Sequence, residues 1–486
     1  MANLGSTHSL HQSAPLGKLR LLPVHQGSIA NLEQPHPTDF RVLGLILLIL
    51  SSLVGLFLYS ASFPLYTVII GAGVLATAAM LASPFVALCV FAFTLYIESA
   101  IQILDDGGLS ISRVVGVILT VSTFLRFSPQ LISAFFQSPA WRIYILLILL
   151  LLISCTYSPN PLGGFISEVV RKSQFLLLGI CFYMVFRYHF NSFKQYCFVL
   201  SLCLYVMLVI ALIRGIQVED PRFNLGGSSA STIAPLALVG SFHSLLLITL
   251  TNKKKWWTHL FLAGAILSGI YVLIQTNSRI SLVGLFLAPI FVAFTPFQKI
   301  PLKIRSFLLG TIFASGILFT STLPILLVES PQIKRRMENM YSMFSTGKIS
   351  DSSTSGRVSI WKYYFKEAQK SPIWGHGVGF THTNRTKVLN ESTIATHNVY
   401  LHYFVTTGII GLSLILLFFY CIWKEIRLIR RAHICVLLLS VLYFTCIHGM
   451  AGNTDNTKWF LLAVLPITWC CAYEKYQTSK TYFKKP

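Results

Sequence analysis

Apolar runs long enough to cross a membrane as helices, separated by short polar breaks, recur along almost the whole chain. About twenty helical residues cross the ~30 Å of bilayer hydrocarbon. On that measure the sequence predicts about fourteen spans, near 42–60, 65–82, 84–104, 110–125, 143–158, 173–188, 197–213, 231–251, 257–276, 280–297, 306–327, 398–423, 433–449 and 459–473. Composition agrees, with 54% hydrophobic and 11% charged residues, where about 25% charged is usual in soluble domains. The expected fold class is therefore an all-α integral membrane protein, a polytopic bundle of about 12–14 transmembrane helices.

Orientation follows from the loops that hold Lys and Arg, because short positive loops stay on the cytoplasmic side. With the N-terminus inside, the short inner loops carry fourteen basic residues, among them Arg126, Arg142, Lys253, Lys303 and Arg427, against six in the short outer loops: Arg171, Lys172, Arg214, Arg222, Arg279 and Lys458. Both termini are then cytoplasmic. The expected organisation is a polar, disordered cytoplasmic tail over 1–41, a bundle of about eleven spans over 42–328, a large outer loop over 329–397, further spans over 398–473 and a basic cytoplasmic tail over 474–486.

The formal charge of +22 reads as this topology rather than as a nucleic-acid footprint, since most of it sits in the inner loops. The first 41 residues are no signal peptide, because the apolar stretch begins late and many more spans follow. Their four scattered His lack Cys or carboxylate partners, and no cofactor or metal is implied. All ten Cys lie in or at the edge of apolar spans, so no disulfide is expected to brace the outer loop.

The outward loops hold the candidate chemistry. Arg222 lies in a Gly/Ser-rich segment, Asp220 to Ser229, that opens onto the next span, and such a segment suits an oxyanion. Arg279 follows Thr276-Asn277-Ser278 in so short a turn that its guanidinium is at the membrane surface or in the bundle, where it needs a partner or a wet cavity. In the large loop, Ser355-Gly356-Arg357 leads into an amphipathic stretch with Val358, Trp361, Phe365 and Ala368 at helical spacing, stopped by Pro372. A glycine-rich loop follows, Pro372 to Gly379. From Glu329 to Thr396 there are ten Lys/Arg against five acids, an excess that suits an anionic ligand. His397 then opens the next span on the same side as Arg222, Arg279 and Arg357.

Taken together, the Arg222 segment, Ser278-Arg279, Ser355-Gly356-Arg357 with Trp361, the Pro372/Gly375/Gly377/Gly379 loop, and His397-Asn398-Val399-Tyr400-Leu401 followed by Gly408 and Gly411 resemble the O-antigen ligase and O-antigen polymerase superfamily. The resemblance is strongest over about 220 to 420. It implies a C-type membrane glycosyltransferase architecture in the bacterial inner membrane. Members move a glycan from a polyprenyl-pyrophosphate carrier to an acceptor hydroxyl on the periplasmic side: lipid A core in ligases, another glycan in polymerases, a protein Ser or Thr in related oligosaccharyltransferases. One departure is the Gly226-Gly227-Ser228-Ser229 run, where the family has an Asn-Pro-Asn-like turn, and it leaves Arg214 beside Arg222 as a candidate.

The residues fit that chemistry in their own right. A departing pyrophosphate needs positive charge more than a proton, and Arg supplies it without titrating. Arg222 and Arg279 are the expected pyrophosphate ligands, and Arg357 steadies either the pyrophosphate or the first sugar. His397 either accepts the acceptor hydroxyl's proton or hydrogen-bonds a phosphate. Catalytic candidates are thus His397, Arg279 and Arg222, with Arg357, Arg214, Asn398, Gly377 and Gly379 as substrate-binding candidates. Direct attack by the hydroxyl implies inversion, and the sequence shows no metal motif. The expected function is a metal-independent inverting O-antigen ligase acting on lipid A core in lipopolysaccharide assembly. The alternatives are an O-antigen or exopolysaccharide polymerase, a protein O-oligosaccharyltransferase, or a lipid-linked glycan transporter using Glu98, His243 and His448.

Overall fold

The computed structural model describes residues 64–101, 111–127, 130–186, 190–214, 230–251, 256–276, 278–294, 306, 357–383, 396–429, 431–450, 460, 462–464, 466–467 and 470. The two expected tails, the Arg222 segment and most of the large outer loop lie outside them. Among the described residues every regular element is helical: α1 Pro64–Ala82, α2 Pro84–Ile101, α3 Ile111–Arg126, α4 Gln130–Phe135, α5 Pro139–Ser154, α6 Pro161–Gly164, α7 Arg171–Phe186, α8 Phe190–Arg214, α9 Ala230–Leu250, α10 Trp256–Gln275, α11 Arg279–Phe294, α12 Arg357–Lys370, α13 Phe380–Thr383, α14 Val399–Ile426 and α15 Ala432–Gly449. Among the described residues, seven helices are long and apolar enough to cross a membrane: Pro139–Tyr157, Pro161–Phe186, Ser192–Leu212, Ile233–Leu250, Trp256–Leu273, Val399–Ile426 and Ala432–Gly449. Each coincides with an expected span, and shorter apolar helices at Gly73–Ala82, Pro84–Glu98 and Val283–Phe294 match three more.

One boundary differs from expectation. The chain was expected to leave the membrane between about 158 and 173, yet α6 continues through a π-turn, Phe165–Val170, straight into α7. Arg171 and Lys172 thus belong to a helix, not to an outer loop. Charge enters the span because Lys172 pairs with Glu168 one turn before it, Nζ to Oε2 3.7 Å.

Aromatic packing fixes the direction of the helices. Trp141 and Tyr144 of α5 meet Phe418 of α14, with ring centroids 6.1 and 5.2 Å apart, while Leu150 lies beside Gly411. The two helices are therefore antiparallel, and α5 ends near the start of α14. From that end α7 descends and α8 returns, the hairpin closed by Phe182, Phe186, Phe193 and Tyr196. Such aromatic pairs add about 0.5–1.5 kcal/mol each beyond the area they bury.

Ser201 bonds Ser244 at 2.8 Å, and Gly240 approaches Leu204, so α9 runs opposite to α8. Gly269 of α10 fits against Ser241 and Ala237 of α9. Small residues of this kind let helix backbones close on each other in lipid, where apolar burial gives no drive of its own. The alternation brings the last residue of α8, Arg214, and the first of α11, Arg279, to the end of the bundle where α14 begins. Of the ionisable residues that a transporter would use, Glu98 accepts the Ser112 N–H at 2.7 Å and its hydroxyl at 2.6 Å at the start of α3, and His243 bonds the Val239 carbonyl at 2.7 Å.

Candidate functional site

The site forms where α12, the glycine-rich loop and a broken α14 come together. Glycine 408 has φ 65° and ψ −160° inside α14, a combination essentially confined to glycine. The break releases backbone groups at membrane depth, where they must be satisfied by protein. The glycine-rich loop does this. The His376 N–H donates to the Val405 carbonyl at 2.8 Å, the Gly377 N–H donates to Thr406 at 2.9 Å, and the Ile409 N–H returns a bond to Pro372 at 2.8 Å.

The loop needs glycine because it is threaded between helices. Gly375 and Gly377 take positive φ, 71° and 86°. A Cβ on Gly377 would stand 2.5 Å from Ser158 Cα, and one on Gly379 would strike the Asn160 carbonyl. The Gly379 N–H donates to Ser158 Oγ at 2.9 Å, and Tyr157 Oη donates to the Trp374 carbonyl at 2.8 Å. Gly377 and Gly379 are buried here. Their close neighbours are the α5–α6 connection, which ties the loop into the bundle.

Helix α12 lies on the N-terminal third of α14. Ile360, Tyr364 and Ala368, spaced by four, pack with Val405 and are bordered by Trp361, Leu401 and Phe404. The expected apolar stripe was Val358, Trp361, Phe365 and Ala368. The dry stripe is turned from it, because the ring of Tyr364 is fully buried while Phe365 is 50% exposed. Val358, Trp361 and Phe365 instead line a groove of ≈ 480 Å³ with Tyr400, Leu401, Phe404 and Leu412, and Asn398 and Lys362 also border it.

At the head of that groove is the Thr396-His397-Asn398 turn. Trp361 Nε1 donates to the Thr396 carbonyl at 3.0 Å, and the Thr396 hydroxyl donates to the Asn398 carbonyl at 3.2 Å. Asn398 caps α14, its Oδ1 accepting the Leu401 N–H at 3.0 Å. Between these anchored neighbours His397 holds φ 47°, a left-handed conformation that costs a non-glycine residue roughly 1–2 kcal/mol. Strain of this sort collects at functional sites, where the surroundings over-determine it.

Burial, together with the Arg357 guanidinium, lowers the His397 pKa from its ordinary value of 6.5. Neutral imidazole is thus favoured, the form that accepts a proton. His448 is the penultimate residue of α15. Tyr400 Oη donates to the Cys446 carbonyl at 2.9 Å and ties α14 to that same end.

The structure thus brings His397, Asn398 and Arg357 together and places the backbones of Arg279 and Arg214 at the same end of the bundle. Arg222 lies outside the described residues. Among the described residues no group of three His, Cys, Asp or Glu stands placed to hold a metal ion.

Sequence reasoning missed a buried cluster next to the site. Glu168 on the π-turn meets Lys172 at 3.7 Å and His402 Nε2 at 3.4 Å, and Lys172 Nζ lies 5.8 Å from the Tyr403 ring centroid. The available signal was a Glu and a Lys four apart, the spacing of a helical ion pair, directly before an apolar run.

No curated protein matches the chain. Residues 263–416 match the O-antigen ligase family, a stretch that takes in Arg279, Arg357, Gly377, Gly379, His397 and Asn398 and begins after Arg214 and Arg222.

Proposed function

We propose that this chain, which carries a domain of the O-antigen ligase family at residues 263–416, is an O-antigen ligase. In this reading it transfers a glycan from a polyprenyl-pyrophosphate carrier to a hydroxyl of lipid A core, on the outer face of the bacterial inner membrane. Membrership of the ligase and polymerase type in general rests on the family match. The observation that carries the mechanism is His397 in its left-handed turn, kept neutral beside Arg357 at the end of the bundle where α11 begins with Arg279.

His397 accepts the proton of the acceptor hydroxyl as its oxygen attacks the anomeric carbon. The carbon–oxygen bond to the pyrophosphate breaks, and that electron pair leaves with the pyrophosphate. Arg279, Arg357 and Arg222 or Arg214 take up the charge that develops there. Attack from the face opposite the leaving group inverts the anomeric centre. Removing one such charge-stabilising group costs about 10²–10³ in rate, or about 3–4 kcal/mol. A positioned general base contributes roughly 10²–10⁴. No metal is assigned to any of these steps.

The test is transfer by the purified protein from a polyprenyl-pyrophosphate glycan, with EDTA present and two acceptors offered separately. Product on lipid A core supports the ligase. Elongation on a second carrier-linked repeat would make the protein a polymerase, and no transfer to either would refute both.

A further inference from the structure

The break at Gly408 separates the first two turns of α14 from the remaining helix. Those two turns carry Asn398 and, just before it, His397. Their direction is therefore not dictated by the long remainder of α14, and side contacts must hold them. Three of these are Trp361 on Thr396, Tyr400 on Cys446, and the glycine-rich loop on Val405 and Thr406. The fourth reaches across from the π-turn. Glu168 Oε1 stands 3.4 Å from Nε2 of His402, which is one helical turn past Asn398 and donates its own N–H to the Asn398 carbonyl at 2.9 Å.

The members of this cluster are almost wholly enclosed: Glu168 is 2% exposed, Lys172 0% and His402 4%. Burying such groups in a membrane span costs several kcal/mol, and apolar residues of the same volume often hold a fold as well or better. A buried cluster of this kind is weak evidence for stability, and its carboxylate comes from the π-turn Phe165–Val170, a helix irregularity frequent at functional sites. Gly164, four residues earlier, packs on Val378 and Gly379 of the glycine-rich loop. One stretch of chain therefore grips both the loop and the segment of α14 ahead of Gly408.

We propose that Glu168 is a positioning residue for His397, acting through His402 to set the direction of the N-terminal segment of α14 ahead of Gly408. Lys172 balances the carboxylate from its own helix, so that the contact to His402 persists in a dry environment. The inference rests on His397 being the proton acceptor, as proposed above.

The test is transfer by the full-length protein in lipid nanodiscs, measuring kcat and the KM for the carrier separately. The variants are Glu168→Gln and His402→Gln, each in the wild-type and the His397→Ala background. His402→Gln leaves the Glu168–Lys172 pair in place, so it stands in if Glu168→Gln misfolds. Glu425→Gln is the control, because Glu425 is a buried carboxylate of α14 beyond the break, accepting from Ser138 Oγ at 2.7 Å. Misplacing a reacting group by about 1 Å costs about 10²-fold.

The expected result is a kcat loss of up to about that size in Glu168→Gln and His402→Gln. The carrier KM stays near wild type, Glu425→Gln keeps its kcat, and no further loss appears once His397 is Ala. An equal fractional loss in the His397→Ala background would overturn the positioning role while leaving His397 as base. A His397→Ala variant that turns over like wild type would overturn both readings.

Discussion

Replacing Gly408 by Ala tests whether the break in α14 holds the site together. Alanine at φ 65°, ψ −160° carries about 1–3 kcal/mol of backbone strain. Its Cβ would also run into the Ile373 carbonyl and approach Trp374 N at 2.7 Å. Both are backbone atoms of the docked loop, so the loop itself must move. Three hydrogen bonds depend on its place: His376 to Val405, Gly377 to Thr406 and Ile409 to Pro372. At about 1 kcal/mol net each, their loss brings the total to about 4–6 kcal/mol, or about 10³–10⁴ in local opening at 1.36 kcal/mol per decade. The assay is amide hydrogen exchange of the purified protein, read at peptides covering 372–379 and 405–411, beside the transfer rate. Gly73→Ala is the control, since nothing lies within 4 Å of its added Cβ. Unchanged protection and full activity in Gly408→Ala would refute the claim that the loop is pinned through this break.

Three further predictions concern the site itself. The acidic limb of the pH–rate profile should lie below 6.5, because burial and the Arg357 charge both disfavour the imidazolium of His397. Arg357→Gln removes one of those causes and should move the limb upward, and a downward move would contradict the pairing. Asn398→Ala should lose the α14 cap, about 1 kcal/mol, and expose the Leu401 amide to exchange, whereas Asn398→Asp should keep it; equal exchange in both would rule out the cap. Arg279→Lys keeps the charge but not the planar fork that binds phosphate oxygens in pairs, so it should still lose transfer rate by at least several-fold, and a wild-type rate would argue against bidentate binding.

Ten of the expected spans were legible because about twenty apolar residues in a row leave the chain few choices in lipid, while those at 42–60 and 306–327 lie almost wholly outside the described residues. The turn at 396–398 and the amphipathic α12 were legible too, from a polar break and a helical period. The π-turn escaped because Glu168 and Lys172 look like loop charges until each is seen to have a partner, and His402 comes from more than two hundred residues further along the chain. The rotated face of α12 escaped for a related reason. Tyr364 counts as half polar in a pattern, but its ring is buried against α14. Pro372-Ile373-Trp374-Gly375-His376-Gly377 reads as a flexible turn by composition, and only the gap left by Gly408 shows where its amides are used.

Single-turnover transfer from a radiolabelled carrier-linked glycan, by wild type and His397→Ala protein loaded equally with carrier, tests the central claim most directly. The account predicts that His397→Ala retains the carrier and transfers its glycan about 10²–10⁴-fold more slowly. Transfer at the wild-type rate would contradict it, and would leave the left-handed turn at His397 without a catalytic purpose.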